Sequence, residues 1–200
     1  QVLASSQIQT ALQTVGRNHC HLKGTSVTLD KGTQLDLGAI AKGYASYRAA
    51  KLLTDAGVTS ANLSLGGNVH VVGTKPDGSN WKVAIIDPNN TSNYAGILQV
   101  QDTAVVTSGG YQRNFKKNGK VYHHILDPAT GFPAQSGLLS ATIISQDDVL
   151  ADALSTALFV MGPDKAAAYW QGSKDAFEMV LVTEDHRILC SEGIADSFTP

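Results

Sequence analysis

Apolar positions recur along this chain in short bursts, some at helical spacing and some in strict alternation. After Ser5 and Ser6, residues suited to an N-cap, Ile8, Leu12 and Val15 share one helical face and predict an amphipathic helix over 5–15. Residues 21–29 alternate weakly and predict one strand, turned at Lys31-Gly32. Leu35-Asp36-Leu37 then enters a glycine-flanked loop that opens a helix running to about Asp55, with Gly57 as its C-cap. Residues 61–65 and 69–72 predict two strands joined across Gly66-Gly67-Asn68, and residues 81–86 alternate as a further strand after the Lys75-Pro76-Asp77-Gly78 turn.

The second half repeats this grammar. Residues 98–106 predict one or two strands ending at Thr107-Ser108-Gly109-Gly110, and residues 122–126 and 139–145 predict two more. Asp147 and Asp148 are placed to cap a helix over 149–161, stopped by Gly162-Pro163, and a second helix follows over 164–172. Residues 178–183 and 187–190 close the pattern as a hairpin. Strands and helices that do not alternate strictly argue for an α+β fold of mixed, largely antiparallel sheets with packed helices.

Two hundred residues suit one domain over 1–200, able to bury a core without staples. A net charge of -2 gives no general attraction to nucleic acid, which is excluded as a partner class. No apolar run approaches the ~20 residues of a membrane helix. Cys20 and Cys190 lack metal-type spacing and read as two buried free thiols in preference to a disulfide. The chain opens at Gln1 without a leader, which suits a processed or trimmed piece.

Chemistry concentrates in a few loops and one helix. Asp152 and Thr156, four apart, project from one face and offer the hard oxygen donors that Mg²⁺ takes, or else dress the early turns of a helix. Lys42, in the glycine-flanked turn, could meet phosphate or solvent. Gly66-Gly67-Asn68 and the Ser108 loop let a ligand approach the main chain, and three such loops at strand ends suit one cleft. His123 and His124 are adjacent in a strand, so at most one faces a given cleft, where it could act as a general base. Zinc would want a third soft ligand that His21, His70 and the cysteines do not supply by spacing, and Ser108 lacks a Gly-x-Ser-x-Gly elbow.

In order, the segment from Asp36 to Ala45, Leu65-Gly66-Gly67-Asn68, Thr107-Ser108-Gly109, His123-His124-Ile125-Leu126-Asp127-Pro128 with Thr130-Gly131, and Ala151-Asp152-Ala153-Leu154-Ser155-Thr156-Ala157 resemble the ApbE family of FAD:protein FMN transferases. The resemblance implies an ApbE-like fold and Mg²⁺ held by Asp152, Thr156 and the Ala39 carbonyl. It implies FAD as substrate, lined by Lys42, Gly66, Gly67, Asn68, Ser108 and the stretch containing Ile125 and Pro128, with His124 as catalytic base. The implied reaction moves FMN from FAD to a Ser or Thr hydroxyl of an acceptor flavoprotein and releases AMP. FAD hydrolysis to FMN and AMP, or flavin binding without catalysis, are the alternatives it leaves. The family's N-terminal stretch, which helps hold the flavin, is expected to be lacking before Gln1, and Gln112 stands where the family often has Glu. An extracytoplasmic location is implied, with membrane contact only through a lipid anchor on that N-terminal part.

Overall fold

The computed structural model describes residues 2–200. In chain order the elements are α1 (Ser5–Leu12), β1 (Cys20–Lys23), β2 (Ser26–Leu29), α2 (Ala41–Asp55), β3 (Ala61–Leu65), β4 (Asn68–Val72), β5 (Trp81–Ile86) and β6 (Tyr94–Val100). They continue with β7 (Thr103–Gly109), β8 (Asn114–Lys117), β9 (Lys120–His123), β10 (Leu138–Ser145), α3 (Asp148–Met161), α4 (Pro163–Gln171), β11 (Glu178–Thr183), β12 (Ile188–Cys190) and β13 (Phe198–Thr199).

Six strands form a sheet in the order β12-β11-β10-β7-β4-β3, and every pair in it is antiparallel. Because side chains alternate across a strand, this sheet feeds two cores. Ala104 and Val106 of β7, Ala141 and Ile143 of β10, and Met179 and Leu181 of β11 pack with Leu154, Leu158 and Phe159 of α3 and with Trp170 of α4. Their neighbours Val105, Ile144, Val180 and Val182 pack on the opposite face against Val83, Ile85, Leu98 and Phe198 of the β13-β6-β5 sheet. The result is helices on one face and a second sheet on the other. α2 lies on the helical face, against α3 and β4.

Several boundaries depart from the pattern. The first helix stops at Leu12, with Ala4 rather than a serine as its N-cap, and Val15 is exposed. Residues 20–29 form a hairpin, not one strand, because Gly24 takes φ +59° and reverses the chain. The strand expected over 122–126 is β9, which ends at His123; Leu126 only bridges Pro133. Its partner β8 carries four exposed residues and therefore no alternation to read. Both cysteines are free, but neither is buried: Cys20 is half-buried and Cys190 exposed, since each lies in a strand at a sheet margin rather than in a core. Among the described residues no helix is long and apolar enough to cross a membrane.

Candidate active site

The N-terminus of α3 is set by Asp147, whose carboxylate accepts from the Val149 and Leu150 N–H groups at 2.9 and 3.0 Å. One turn into the helix, Asp152 is 3% exposed, and its Oδ2 accepts the Gly43 N–H at 2.7 Å. Gly43 is the third residue of α2, where backbone donors have no partner within the helix. The next donor, Tyr44 N–H, bonds back to the Ile40 carbonyl. Gly43 instead turns to Asp152, so among the described residues the Ala39 carbonyl accepts no backbone hydrogen bond.

The approach of α2 to α3 requires glycine. A Cβ on Gly43 would sit 2.3 Å from the Asp148 carbonyl oxygen and 2.8 Å from the Asp152 Cβ. Lys42, beside it, donates from Nζ to Asn68 Oδ1 at 2.9 Å. Asn68 opens β4 after a turn whose glycines, Gly66 and Gly67, take φ +57° and +96°. Lysine can only donate, so this bond fixes which Asn68 atom is oxygen. The remaining Asn68 amide nitrogen is buried and has no partner among the described residues, which leaves a donor for a bound acceptor. On β7, Ser108 Oγ lies 2.8 Å from Ser155 Oγ and 3.1 Å from Thr156 Oγ1.

The structure thus brings Lys42, Gly66, Gly67, Asn68, Ser108, Asp152 and Thr156 to one end of the helical face, with Ala39 at the mouth of α2. Gln112 joins them, its Nε2 lying 3.9 Å from where a Gly67 Cβ would be. His124 is exposed, pairs through its main-chain N–H with the Arg113 carbonyl, and makes no side-chain hydrogen bond with this group among the described residues. Ile125 is a core side chain, 5% exposed, and its carbonyl accepts from the Ala134 N–H, so any part in binding falls to its main chain. Pro128 is exposed in the turn closed by the Gly131 N–H on the Asp127 carbonyl.

His123, the last residue of β9, and His124, just beyond it, have different surroundings. The His123 ring packs edge-on to Phe159, with centroids 5.6 Å apart, and borders a cavity of about 640 Å³ that Tyr111, Lys116, Lys120 and Glu184 also line. Burial holds the His123 imidazole below its ordinary pKa and pushes the Tyr111 hydroxyl above its own.

Among the described residues no three His, Cys, Asp or Glu side chains converge as a metal cage. The donors at the α2–α3 junction are one carboxylate, one hydroxyl and one free carbonyl. That sparse, all-oxygen set fits Mg²⁺, which keeps waters and takes phosphate oxygens to complete its shell. Sequence reasoning did not single out Ser155, the Gly43 N–H or the contact of His70 with Asp148 at 2.9 Å. The i+3 spacing of Ser155 from Asp152 was a usable signal; the other two depend on partners more than seventy residues away.

The sequence profile of the ApbE family matches residues 1–181. The FAD:protein FMN transferase of Treponema pallidum is 40% identical over 174 residues, covering 82% of this chain and 48% of that protein. The enzyme of the same name from Klebsiella pneumoniae is 38% identical over 170 residues, covering 84% and 52%. The crystal structure of the ApbE protein of Thermotoga maritima superposes with a TM-score of 0.90 at 34% identity, over 100% of this chain and 65% of that one. The apo flavinyl transferase ApbE of Pseudomonas stutzeri gives 0.83 at 30% identity, over 99% and 62%. The chain spans about half the length of the curated relatives it matches.

Proposed function

The chain belongs to the ApbE family, and on that premise we propose that it serves Mg²⁺-dependent transfer of FMN from FAD to a Ser or Thr hydroxyl of an acceptor flavoprotein, with release of AMP. The observation that carries this reading is the diversion of the Gly43 N–H to Asp152. It holds a buried carboxylate against the first turn of α2, where among the described residues the Ala39 carbonyl accepts no backbone hydrogen bond, one helical turn from Thr156 and with the Lys42 ammonium on the residue before Gly43.

When bound, Mg²⁺ would draw charge from the FAD pyrophosphate and stabilise the departing AMP. Asp152, Thr156 and the Ala39 carbonyl would hold it. Lys42 exchanges part of its bond with Asn68 for a phosphate oxygen, and the spare Asn68 N–H donates to the same ligand. The glycines at 66 and 67 let FAD lie close to the main chain. His124, exposed just beyond the end of β9, accepts the proton of the acceptor hydroxyl as its oxygen attacks the FMN-side phosphorus. The P–O bond to AMP breaks, and FMN is left in a phosphoester with the acceptor. The location that accompanies this reading is outside the cytoplasmic membrane, tethered by lipid, which fractionation of the native protein tests.

The function is tested by incubating the protein with FAD, Mg²⁺ and an acceptor domain bearing a candidate Thr, followed by mass spectrometry. An FMN adduct on that Thr, with AMP in equal amount, is the expected result. AMP without adduct would replace transfer by FAD hydrolysis, and neither product would leave flavin binding. His124→Ala should slow transfer by roughly 10²-fold or more, the usual contribution of a general base, while FAD binding is kept.

A further inference from the structure

One buried pair lies outside the roles assigned above. Asp148, in the first turn of α3, is 1% exposed, and both its carboxylate oxygens face His70 Nδ1, at 3.0 and 2.9 Å. No other hydrogen bond to this carboxylate is present among the described residues. An ionised carboxylate only accepts, so Nδ1 carries the proton and the His70 tautomer is fixed. His70 lies two residues beyond Asn68 on β4, on the same face. One strand therefore holds α2 through Asn68 and Lys42, and α3 through His70 and Asp148. The Asp148 main chain in turn abuts Gly43, whose N–H meets Asp152 one turn further along α3.

We infer that His70 and Asp148 are a positioning pair for divalent-metal binding: they anchor the first turn of α3 so that the Asp152 carboxylate meets α2 at Gly43. Neither residue is among those proposed to hold the metal or FAD. Outer hydrogen bonds that orient a ligand's support change metal affinity by roughly 10–100-fold when removed. A purely structural pair would lower thermal stability and leave metal affinity alone. The inference rests on the metal reading of Asp152, and its test separates the two.

Mn²⁺ is titrated into the whole chain with FAD present, free Mn²⁺ is read by electron paramagnetic resonance, and melting is followed in parallel. His70→Leu should weaken Mn²⁺ binding roughly tenfold or more. His70→Asn places an amide nitrogen where Nδ1 stood and should restore affinity to near the parent's. The double variant His70→Leu with Asp148→Leu removes the stranded carboxylate and should recover melting temperature without recovering Mn²⁺ affinity. If His70→Leu does not fold, His70→Gln, whose donor reaches too far, should bind Mn²⁺ weakly while folded. Mn²⁺ binding that depends on Asp152 yet is the same in the parent and in the folded His70 variants overturns the inference alone. Mn²⁺ binding unchanged by Asp152→Ala, or absent from the parent, overturns the metal reading and the inference with it.

Discussion

Gly43 shows how much of the site rests on one missing side chain. An interior helical glycine costs about 1 kcal/mol relative to alanine, so Gly43→Ala would be stabilising if only α2 were considered. The added Cβ would instead meet the Asp148 carbonyl oxygen at 2.3 Å, a backbone atom that cannot swing away. The expected outcome is a net loss of about 1–3 kcal/mol in urea unfolding, the range for overpacking. Mn²⁺ affinity should fall as well, because separating α2 from α3 breaks the Gly43–Asp152 bond. A variant as stable as the parent would show that the two helices can part at no cost. In the sequence Gly43 reads only as a loop-flanking glycine, since its partner Asp152 lies 109 residues on. Lys42, Asn68 and Ser108 were legible as candidates because each sits at a punctuated strand or helix end, and Asp152 and Thr156 because their four-residue spacing puts them on one face of α3. What could not be read was the bonding that turns them from separate loops into one set.

At the scale of elements, α3 is held at its start from two directions. Asp147 satisfies two N–H groups locally, and the buried Asp148 reaches across to β4. The sequence placed both as caps, but only Asp147 caps. Asp147→Ala should therefore cost about 1 kcal/mol, as for other lost N-caps, measured by chemical denaturation. It should disturb Mn²⁺ affinity less than His70→Leu does, because β4 still fixes the helix. The helices were legible because each buries one periodic face, as α3 does from Ala151 to Phe159, and the central strands because their short apolar runs, such as Ala104-Val105-Val106 in β7, are buried on both faces. β8 was not: Asn114, Phe115, Lys116 and Lys117 are all exposed, and its stability comes from pairing with β9 and from Phe115 stacked on Tyr122 at 5.3 Å. The hairpin of β1 and β2 was merged into one strand for the same lack of a buried face.

At the scale of the whole molecule, acid should act on the fold through His123, which ends β9 and lies against the segment around Ala134 and α3. His123 donates from Nε2 to the Ala134 carbonyl at 3.2 Å, and its Nδ1 is buried without a partner among the described residues. Burial disfavours the charged ring more than the backbone carbonyls near it favour it, so the imidazole is held below its ordinary pKa. Between that lowered value and about 6.5, the unfolded chain binds more protons than the folded one. The contribution of His123 is therefore fully present above about pH 6.5 and declines as the pH falls through that window. His123→Gln keeps a nitrogen for the Ala134 carbonyl and removes the titration. Urea midpoints measured from pH 7.5 down to 5 should fall more steeply for the parent than for this variant, and parallel curves would sink the assignment.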